Sequence, residues 1–434
     1  MRRSFAALVA LVAVVFRLVP AHAATTTVVD LGGPHAYVRT DAAASLATVD
    51  VFVRAGLDRE TLEQNGLAAL VAEAVLQTPV ATAGGAAPIA LTDAVDASGA
   101  SISYAIEPEY VRFSLQGTPE SIAAAAPLVA RALAMPSFAA PTLAAARVAL
   151  GGRIADSEDD LRFVGMQMLR GSYYRDGAGL PAFGNAGSLS TLGDAAVRAF
   201  FAAWYLRGNA FLTVVGRTGP ATEAASRALI AALPSGTAAA PAVAARPFGA
   251  EPKRIVTHRD VTAPYVAVGF AAPPIGDPDF AATWVMRSVL VGVFERGGAT
   301  TPAPFFRAVG SMYAYDTAPA HFMLWINGAR IDPSTGLGAV IALVKGTATK
   351  PLSEAVLNRY KETARGEWAL ETLSLDERAA AIGSAVARGL DADAGDAVPA
   401  AISAVTVADV QRVAKKYFQK FDVALVIPRE GSGG

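Results

Sequence analysis

The chain has 434 residues, of which 53% are hydrophobic and 17% are charged, with 37 basic and 38 acidic side chains. This composition excludes an intrinsically disordered chain, and the balanced charge excludes a typical nucleic-acid-binding protein. Cysteine is absent, which excludes disulfide bonds, thiolate metal ligands and a cysteine nucleophile. We therefore expect a folded protein that contains more than one hydrophobic core.

The first 23 residues have the pattern of an export signal. Arg2 and Arg3 precede the apolar run FAALVALVAVVF, and residues 21–23 form the small-x-small cleavage sequence AHA. Arg17 interrupts the apolar stretch, which leaves it too short for a permanent membrane anchor; an N-terminal membrane helix is the alternative. We expect cleavage near Ala23 and an exported, periplasmic protein without a stable membrane anchor.

Strands and helices are predicted to alternate through residues 24–233. A Thr-x-x-Asp sequence at Thr191, close to a capping box, predicts the start of a helix that ends near Tyr205. The other predicted elements are a strand at 45–56, a helix at 65–77, a hairpin at 101–117, a helix at 119–138 and a strand at 210–216.

Residues 234–252 are rich in Pro, Ala and Gly and predict a surface linker. Residues 253–434 then repeat the order of the first half. A second Thr-x-x-Asp helix starts at Thr406 and ends near Tyr417. The remaining predictions are a strand at 263–274, a helix at 279–294, a hairpin at 313–328 and a strand at 422–428.

This repetition predicts two homologous domains of the α+β class, built in α/β layers. Each domain is expected to hold a largely antiparallel sheet with helices packed on one face, rather than a parallel βαβ stack. The predicted domains are residues 24–233 and 253–434, which follow the signal peptide 1–23 and are separated by the linker 234–252.

Three segments resemble a known family. They are VFVRAGLDRETLEQNGLAALVAEAVLQTP, the pattern LxTLxDxxVxxFFxxWYxxxN from Leu189 to Asn209, and GFAAPPIGDPDFAATWVMRSVLVGVF. Over nearly the whole mature chain the sequence is similar to the pitrilysin or insulinase-like metallopeptidases. These are the inverzincins, which include the mitochondrial processing peptidases. The resemblance implies a fold like that of LuxS and the mitochondrial processing peptidases.

The family binds zinc through H-x-x-E-H on its first helix and through a glutamate on a later helix. Alignment places Ala69 at the first histidine, Ala72 at the general base and Glu73 at the second histidine. The later glutamate aligns with Gly151 or Gly152, and we assign its position to Gly152. The resemblance therefore implies a degenerate zinc site, no catalytic residue of the chain's own, and no bound cofactor.

Other residues supply no replacement site. His35, His258 and His321 are too far apart in sequence to form a metal motif, and we expect each to have a structural role. The acidic run at residues 156–160 is expected to be a solvated helix end rather than a calcium site. No G-x-S-x-G motif indicates a serine hydrolase.

The family also carries an Arg and a Tyr in the pattern R-x-x-x-G-L-A-Y, which bind the substrate backbone and stabilise the oxyanion. Arg307 and Tyr313 match this pair, with Arg307 one residue closer to Gly310 than the pattern has it. The alternative is that Arg307 lies on the surface and that Tyr313 packs on its own sheet.

The resemblance implies a non-catalytic, substrate-binding subunit of a periplasmic heterodimeric zinc peptidase that degrades or processes short peptides. The homologous partner would carry H-x-x-E-H and the zinc, and residues 297–302 and 234–252 are candidates for mobile chamber walls. One alternative is a structural or scaffolding family member without a role in proteolysis. Another is a peptidase that is active alone through an unrecognised site.

Overall fold

A computed structural model describes residues 25–81, 87–174, 177–238, 251–295, 308–315, 320–328 and 333–429. The predicted signal peptide, most of the predicted linker, residues 297–302 and Arg307 lie outside these ranges. The strands of the first half are β1 (Thr27–Asp30), β2 (His35–Thr40), β3 (Ala47–Val53), β4 (Pro79–Val80), β5 (Ile89–Ala90), β6 (Ser101–Ile106), β7 (Val111–Gly117) and β8 (Ala210–Gly216). Those of the second half are β9 (Arg254–Arg259), β10 (Tyr265–Ala271), β11 (Ala308–Ala314), β12 (His321–Asn327) and β13 (Asp422–Pro428).

The helices are concentrated in the connections between these strands. In the first half they are α1 (Leu67–Leu76), α2 (Leu91–Asp96), α3 (Pro119–Ala134), α4 (Ala140–Asp159), α5 (Leu161–Tyr173), α6 (Ala186–Thr191), α7 (Asp194–Trp204) and α8 (Pro220–Ala232). In the second half they are α9 (Phe280–Glu295), α10 (Pro333–Thr349), α11 (Glu354–Glu371), α12 (Leu375–Ala387), α13 (Val398–Ala404) and α14 (Val407–Tyr417).

The two large sheets have the same topology. The first has the order β1-β2-β8-β3-β7-β6 and the second has the order β11-β12-β10-β13-β9. The pairs β2 with β8 and β9 with β13 are parallel, and the other pairings within these two sheets are antiparallel. Strands β2, β8, β3, β7 and β6 thus correspond in order to β9, β13, β10, β12 and β11. The predicted fold class is confirmed.

One face of each sheet carries the main hydrophobic core of its own half. In the first half, alternate residues of β3 pack with α1, α3 and α8; the contacting side chains include Val49, Val51, Leu70, Ile122 and Leu229. In the second half, Val268 and Phe270 of β10 pack with Trp284 of α9 and with residues of α11 and α14. Burial of these alternating apolar side chains is the main source of stability on this face.

The opposite face of each sheet is covered by a helix from the other half. Helix α12 packs on the first sheet, where Ile382 contacts a cluster that contains Phe52 and Phe211. Helix α5 packs on the second sheet, where Val164 contacts a cluster that contains Tyr265. The central strands of the sheets are therefore buried on both faces, and the two halves are interlocked by this exchange of helices.

A glycine allows each exchanged helix to approach its sheet. A Cβ atom at Gly383 of α12 would overlap the ring of Phe52, and a Cβ atom at Gly165 of α5 would overlap the ring of Tyr265. Both helices thus pack their backbone directly against an aromatic side chain of a central strand.

Ion pairs fix the position of α12. Arg112 of β7 donates to Asp50 of β3 at 3.0 Å and to Asp376 of α12 at 2.9 Å. Asp50 is fully buried, so the charge of Arg112 is needed to offset its desolvation. Arg39 of β2 adds a pair with Asp393, which follows α12.

Two local predictions are wrong. Thr191 ends α6 instead of capping α7, which begins at Asp194 with Gly193 as its N-cap, whereas the capping box at Thr406 is confirmed. The second hairpin begins at Ala308 rather than at residue 313. Strand β11 is an edge strand with mostly half-buried side chains, so it lacks a clear alternation of apolar and polar residues.

Within the described ranges, no single helix is long and apolar enough to cross a membrane. Two helical segments joined by a sharp bend, Ala394–Ala404 and Val407–Tyr417, together have the length and apolar composition of a membrane span.

Substitution Gly383→Ala tests the close contact between α12 and the first sheet. We expect a loss of about 1–3 kcal/mol in the free energy of unfolding, because the added methyl group overlaps the Phe52 ring. The control is Gly366→Ala in α11, where a Cβ has open space; it should stabilise the protein by about 0.5–1 kcal/mol. Urea unfolding measures the free energy of unfolding of both variants. Equal effects of the two substitutions would contradict the close contact between Gly383 and the Phe52 ring.

Candidate functional site

The first helix is anchored at its start by a buried carboxylate. Gly66 has φ 94° and precedes α1, and Glu60 accepts hydrogen bonds from the backbone N–H groups of Gly66 at 3.0 Å and Ala68 at 2.6 Å. The side chain of Asn65 donates a third, at 3.2 Å. Glu60 thus satisfies N–H groups that a helix start leaves unpaired. Burial raises the pKa of Glu60 to about 7.

At the positions that the family alignment gives to the first histidine and the general base, the side chains are methyl groups. Ala69 and Ala72 are both fully buried in the core between α1 and its neighbours. An alanine side chain has no lone pair for a metal and no group that can accept a proton. These two positions therefore support neither metal binding nor water activation.

Glu73, at the position of the second histidine, belongs to a cluster of polar side chains. It is 3% exposed, and its carboxylate accepts hydrogen bonds from the Tyr104 hydroxyl at 2.9 Å and from Gln77 at 3.0 Å. The Arg153 guanidinium lies 3.8 Å from the same carboxylate. It is also 4.7 Å from the ring centroid of Tyr104 and 5.6 Å from that of Phe183. An arginine therefore balances the charge of Glu73.

Gly152 does not join this cluster. It lies on the exposed side of α4, and a Cβ atom there would meet nothing within 4 Å. The next residue, Arg153, is the one whose side chain extends from α4 to Glu73. The sequence alignment did not single out Arg153; the signal available was the helical spacing of Arg153 from the buried residue Leu150.

The donor set does not fit zinc. One buried carboxylate, hydrogen-bonded and paired with a cation, replaces the three nitrogen and oxygen ligands that a catalytic zinc site uses. In the part of the chain that the structure describes, no group of three or more His, Asp or Glu side chains could hold a metal ion.

The three histidines among the described residues lie apart from the cluster. His35 and His258 are exposed on strands β2 and β9. His321 is buried at the start of β12 beside Tyr173 and Tyr174, and burial lowers its pKa to about 3. His321 is therefore a neutral core residue at physiological pH.

Tyr313 is part of the core of the second half. It is 6% exposed, and its hydroxyl donates to the backbone carbonyl of Pro273. Its ring lies 5.5 Å from that of Phe280 and 6.0 Å from that of Trp284, and burial raises its pKa. The Tyr313 side chain thus packs on its own sheet, and its hydroxyl is engaged by Pro273.

A small apolar cavity lies beside the Glu73 cluster. Its volume is about 270 Å³, and it is lined on one side by Phe183, whose ring also contacts Arg153. Other lining side chains come from α4, α5 and β9, and include Ile154, Phe163, Met168 and Arg259.

Comparison with known proteins agrees with this architecture. Residues 192–363 match the family model described as the peptidase M16 inactive domain. The structure is similar to a protease from Helicobacter pylori, with a TM-score of 0.81 and 14% identity over 94% of this chain and 100% of that one. It is also similar to a peptidase M16 inactive domain from Pseudomonas fluorescens, with a TM-score of 0.77 and 18% identity over 93% of this chain and 98% of that one.

A third similar structure is the periplasmic protease PqqL from Escherichia coli. Its TM-score is 0.69, with 14% identity over 92% of this chain but only 44% of PqqL. No curated protein matches the chain in sequence. The chain thus has an M16-like peptidase fold. The predicted family resemblance is confirmed, by the match to the inactive M16 domain over residues 192–363 and by the fold over nearly the whole chain.

Restoring the family motif should not restore zinc binding. In the triple variant Ala69→His, Ala72→Glu, Glu73→His we expect no stoichiometric zinc, because no ligand from α4 faces the motif and the Arg153 cation remains beside it. Elemental analysis after dialysis against zinc measures the metal content. Adding Arg153→Glu to the triple variant should raise the zinc content more than adding Gly152→Glu. Stoichiometric zinc in the triple variant itself would contradict this account.

The hydroxyl of Tyr313 is expected to serve stability. Tyr313→Phe should lower the free energy of unfolding by about 1–3 kcal/mol, because it leaves the buried carbonyl of Pro273 without its donor. The matched control is Tyr205→Phe, since the buried hydroxyl of Tyr205 has no hydrogen-bond partner within the described residues. Thermal unfolding compares the stability of the two variants. A Tyr313→Phe variant as stable as the unsubstituted chain would refute the structural role.

Proposed function

We propose that this chain is a non-catalytic, substrate-binding subunit of a periplasmic zinc peptidase. The observation that carries the proposal is the set of side chains on α1. This helix is fully buried and keeps its carboxylate anchor Glu60, but it presents Ala69 and Ala72 where a metal ligand and a base are needed. The zinc and the activated water would belong to a homologous H-x-x-E-H partner.

The size of the PqqL protease supports the pairing. This chain is matched over nearly its full length, yet it corresponds to less than half of PqqL. PqqL is thus more than twice as long as the part that resembles this chain. We propose that a second, zinc-bearing chain supplies the corresponding remainder here. The periplasmic location rests on the signal-peptide pattern in residues 1–23 and on the location given for PqqL.

The cavity beside Arg153 supports a peptide as the substrate. Its volume of about 270 Å³ suits one large apolar side chain, and Phe163 and Met168 offer apolar contacts. The Arg153 guanidinium, 40% exposed, can donate to a backbone carbonyl of the same peptide. We propose short peptides as the substrate class, held here while the partner cleaves them.

The scaffolding role stays as the second candidate. The burial of Tyr313 favours it, because a hydroxyl committed to the Pro273 carbonyl is not available to an oxyanion. A scaffold would bind its partners without any effect of the cavity on proteolysis.

Co-purification from the native host tests the proposal. We expect a C-terminally tagged chain to retain an H-x-x-E-H protein, and only the pair to cleave peptides. In the reconstituted pair, Phe163→Ala should raise KM several-fold with little change in kcat, because it removes binding contacts to the substrate. The control Met135→Ala, at a side chain 78% exposed, should change neither.

Two results would count against the proposal. If the chain elutes without a zinc-bearing homologue, the pairing fails. If the pair is active and Phe163→Ala leaves KM unchanged, the chain does not bind substrate through this cavity. That result would favour the scaffolding role.

A further inference from the structure

A second cavity lies at one end of the first sheet, where β2 and β8 begin and β3 ends. Its volume is about 600 Å³. Two arginines and a histidine line it, together with a tyrosine and two hydroxyl side chains: Arg54, Arg207, His35, Tyr37, Ser235 and Thr237. Among the described residues that line it there is no Asp or Glu. Arg54 and Arg207 therefore give the described lining a positive charge, and the carboxylate of Asp30 lies beside it, bonded to the N–H groups of Gly32 and Gly33.

Arg54 is the central cation of this cavity. It follows β3 directly and is half-buried, with its guanidinium 5.1 Å from the ring centroid of Phe211. Within the described residues, the guanidinium makes neither a hydrogen bond nor an ion pair. Burial lowers the pKa of Arg54, which is the effect of desolvation without a carboxylate partner. Its N–H donors are thus unused and face a polar cavity.

Two other half-buried arginines near α12 have carboxylate partners. Arg112 is paired with Asp50 and Asp376, and Arg39 is paired with Asp393. Such a partner offsets the free energy that desolvation of the cation costs. Among the described residues Arg54 has no carboxylate partner, which leaves its charge available to an anion from outside the chain.

Arg207 supplies a second, fixed cation. One of its terminal nitrogens donates to the carbonyl of Ala231 at 2.7 Å and to that of Leu233 at 3.2 Å, at the end of α8. These bonds hold the side chain in place against the cavity. Its Nε is buried and has no partner within the described residues. The ring of His35 is exposed at the same cavity.

We propose that this cavity binds an oxyanion, with Arg54 as the main ligand and Arg207 and His35 as supporting groups. A planar guanidinium can donate two parallel hydrogen bonds to a carboxylate or a phosphate group. The anion is either the terminal carboxylate of a peptide or a free phosphate. The site is separate from the Glu73 cluster, and it does not depend on the proposed subunit function.

Calorimetric titration of the full mature chain at low salt tests the site with three probes. These are inorganic phosphate, trialanine with a free carboxylate and trialanine amide. Binding of phosphate alone would identify free phosphate as the ligand. Binding of the free peptide but not of the amide would identify a peptide terminus. Either result supports the oxyanion site, and binding should weaken as salt is added.

Substitutions assign the binding to Arg54. Arg54→Gln should weaken it by about tenfold or more, and Arg54→Lys should weaken it less because the charge is kept. His35→Ala, at an exposed ring, should weaken it a few-fold. The control is Arg217→Ala, an exposed arginine at the other end of β8, about 20 Å along the strand. The proposal is overturned if no probe binds, or if Arg54→Gln and His35→Ala both bind like the unsubstituted chain.

Discussion

The exchange of helices between the two halves is the constraint on which the rest of the structure depends. Helix α12 closes the open face of the first sheet and helix α5 closes that of the second, each through a glycine pressed onto an aromatic ring. The central strands of both sheets are therefore covered on both faces. This explains why every residue of β3 is buried, including Asp50, and why the half-buried Arg112 accompanies that aspartate.

Helix α1 lies inside the main core of the first half. Ala69 and Ala72, which the family alignment places at the first histidine and at the general base, are small apolar side chains that suit this buried position. Glu73 could not remain there as an isolated charge. Its carboxylate is stabilised by the Tyr104 hydroxyl and by the nearby Arg153 guanidinium. The Arg153 guanidinium thus lies beside Glu73, which the family alignment places at the position of a metal ligand.

Much of this architecture could be predicted from the sequence because it depends on local periodicity. Strand β3, helix α1 and the β6–β7 hairpin agree with the predicted segments within a few residues. The similarity of the two halves was predicted from the repeated order of elements. The alignment of one helix with the family motif was enough to place Ala69 at the first histidine and Ala72 at the general base.

The remaining features depend on contacts between distant segments. Which helix covers the second face of each sheet is decided by the packing of α5 and α12 across the halves, and no local pattern encodes it. The motif at Tyr313 gave the position in the chain, but the pleat of β11 directs the side chain into the core. Similarly, a difference of one residue along α4 separates the exposed Gly152 from Arg153, which extends to Glu73.

The central claim is that this chain has the peptidase fold but no metal of its own. The most direct measurement is the zinc content of the isolated chain after incubation with equimolar zinc and gel filtration, alongside that of the purified pair. The account predicts far less than one zinc per isolated chain and one zinc in the pair, bound by the partner. One zinc retained by the isolated chain would contradict it.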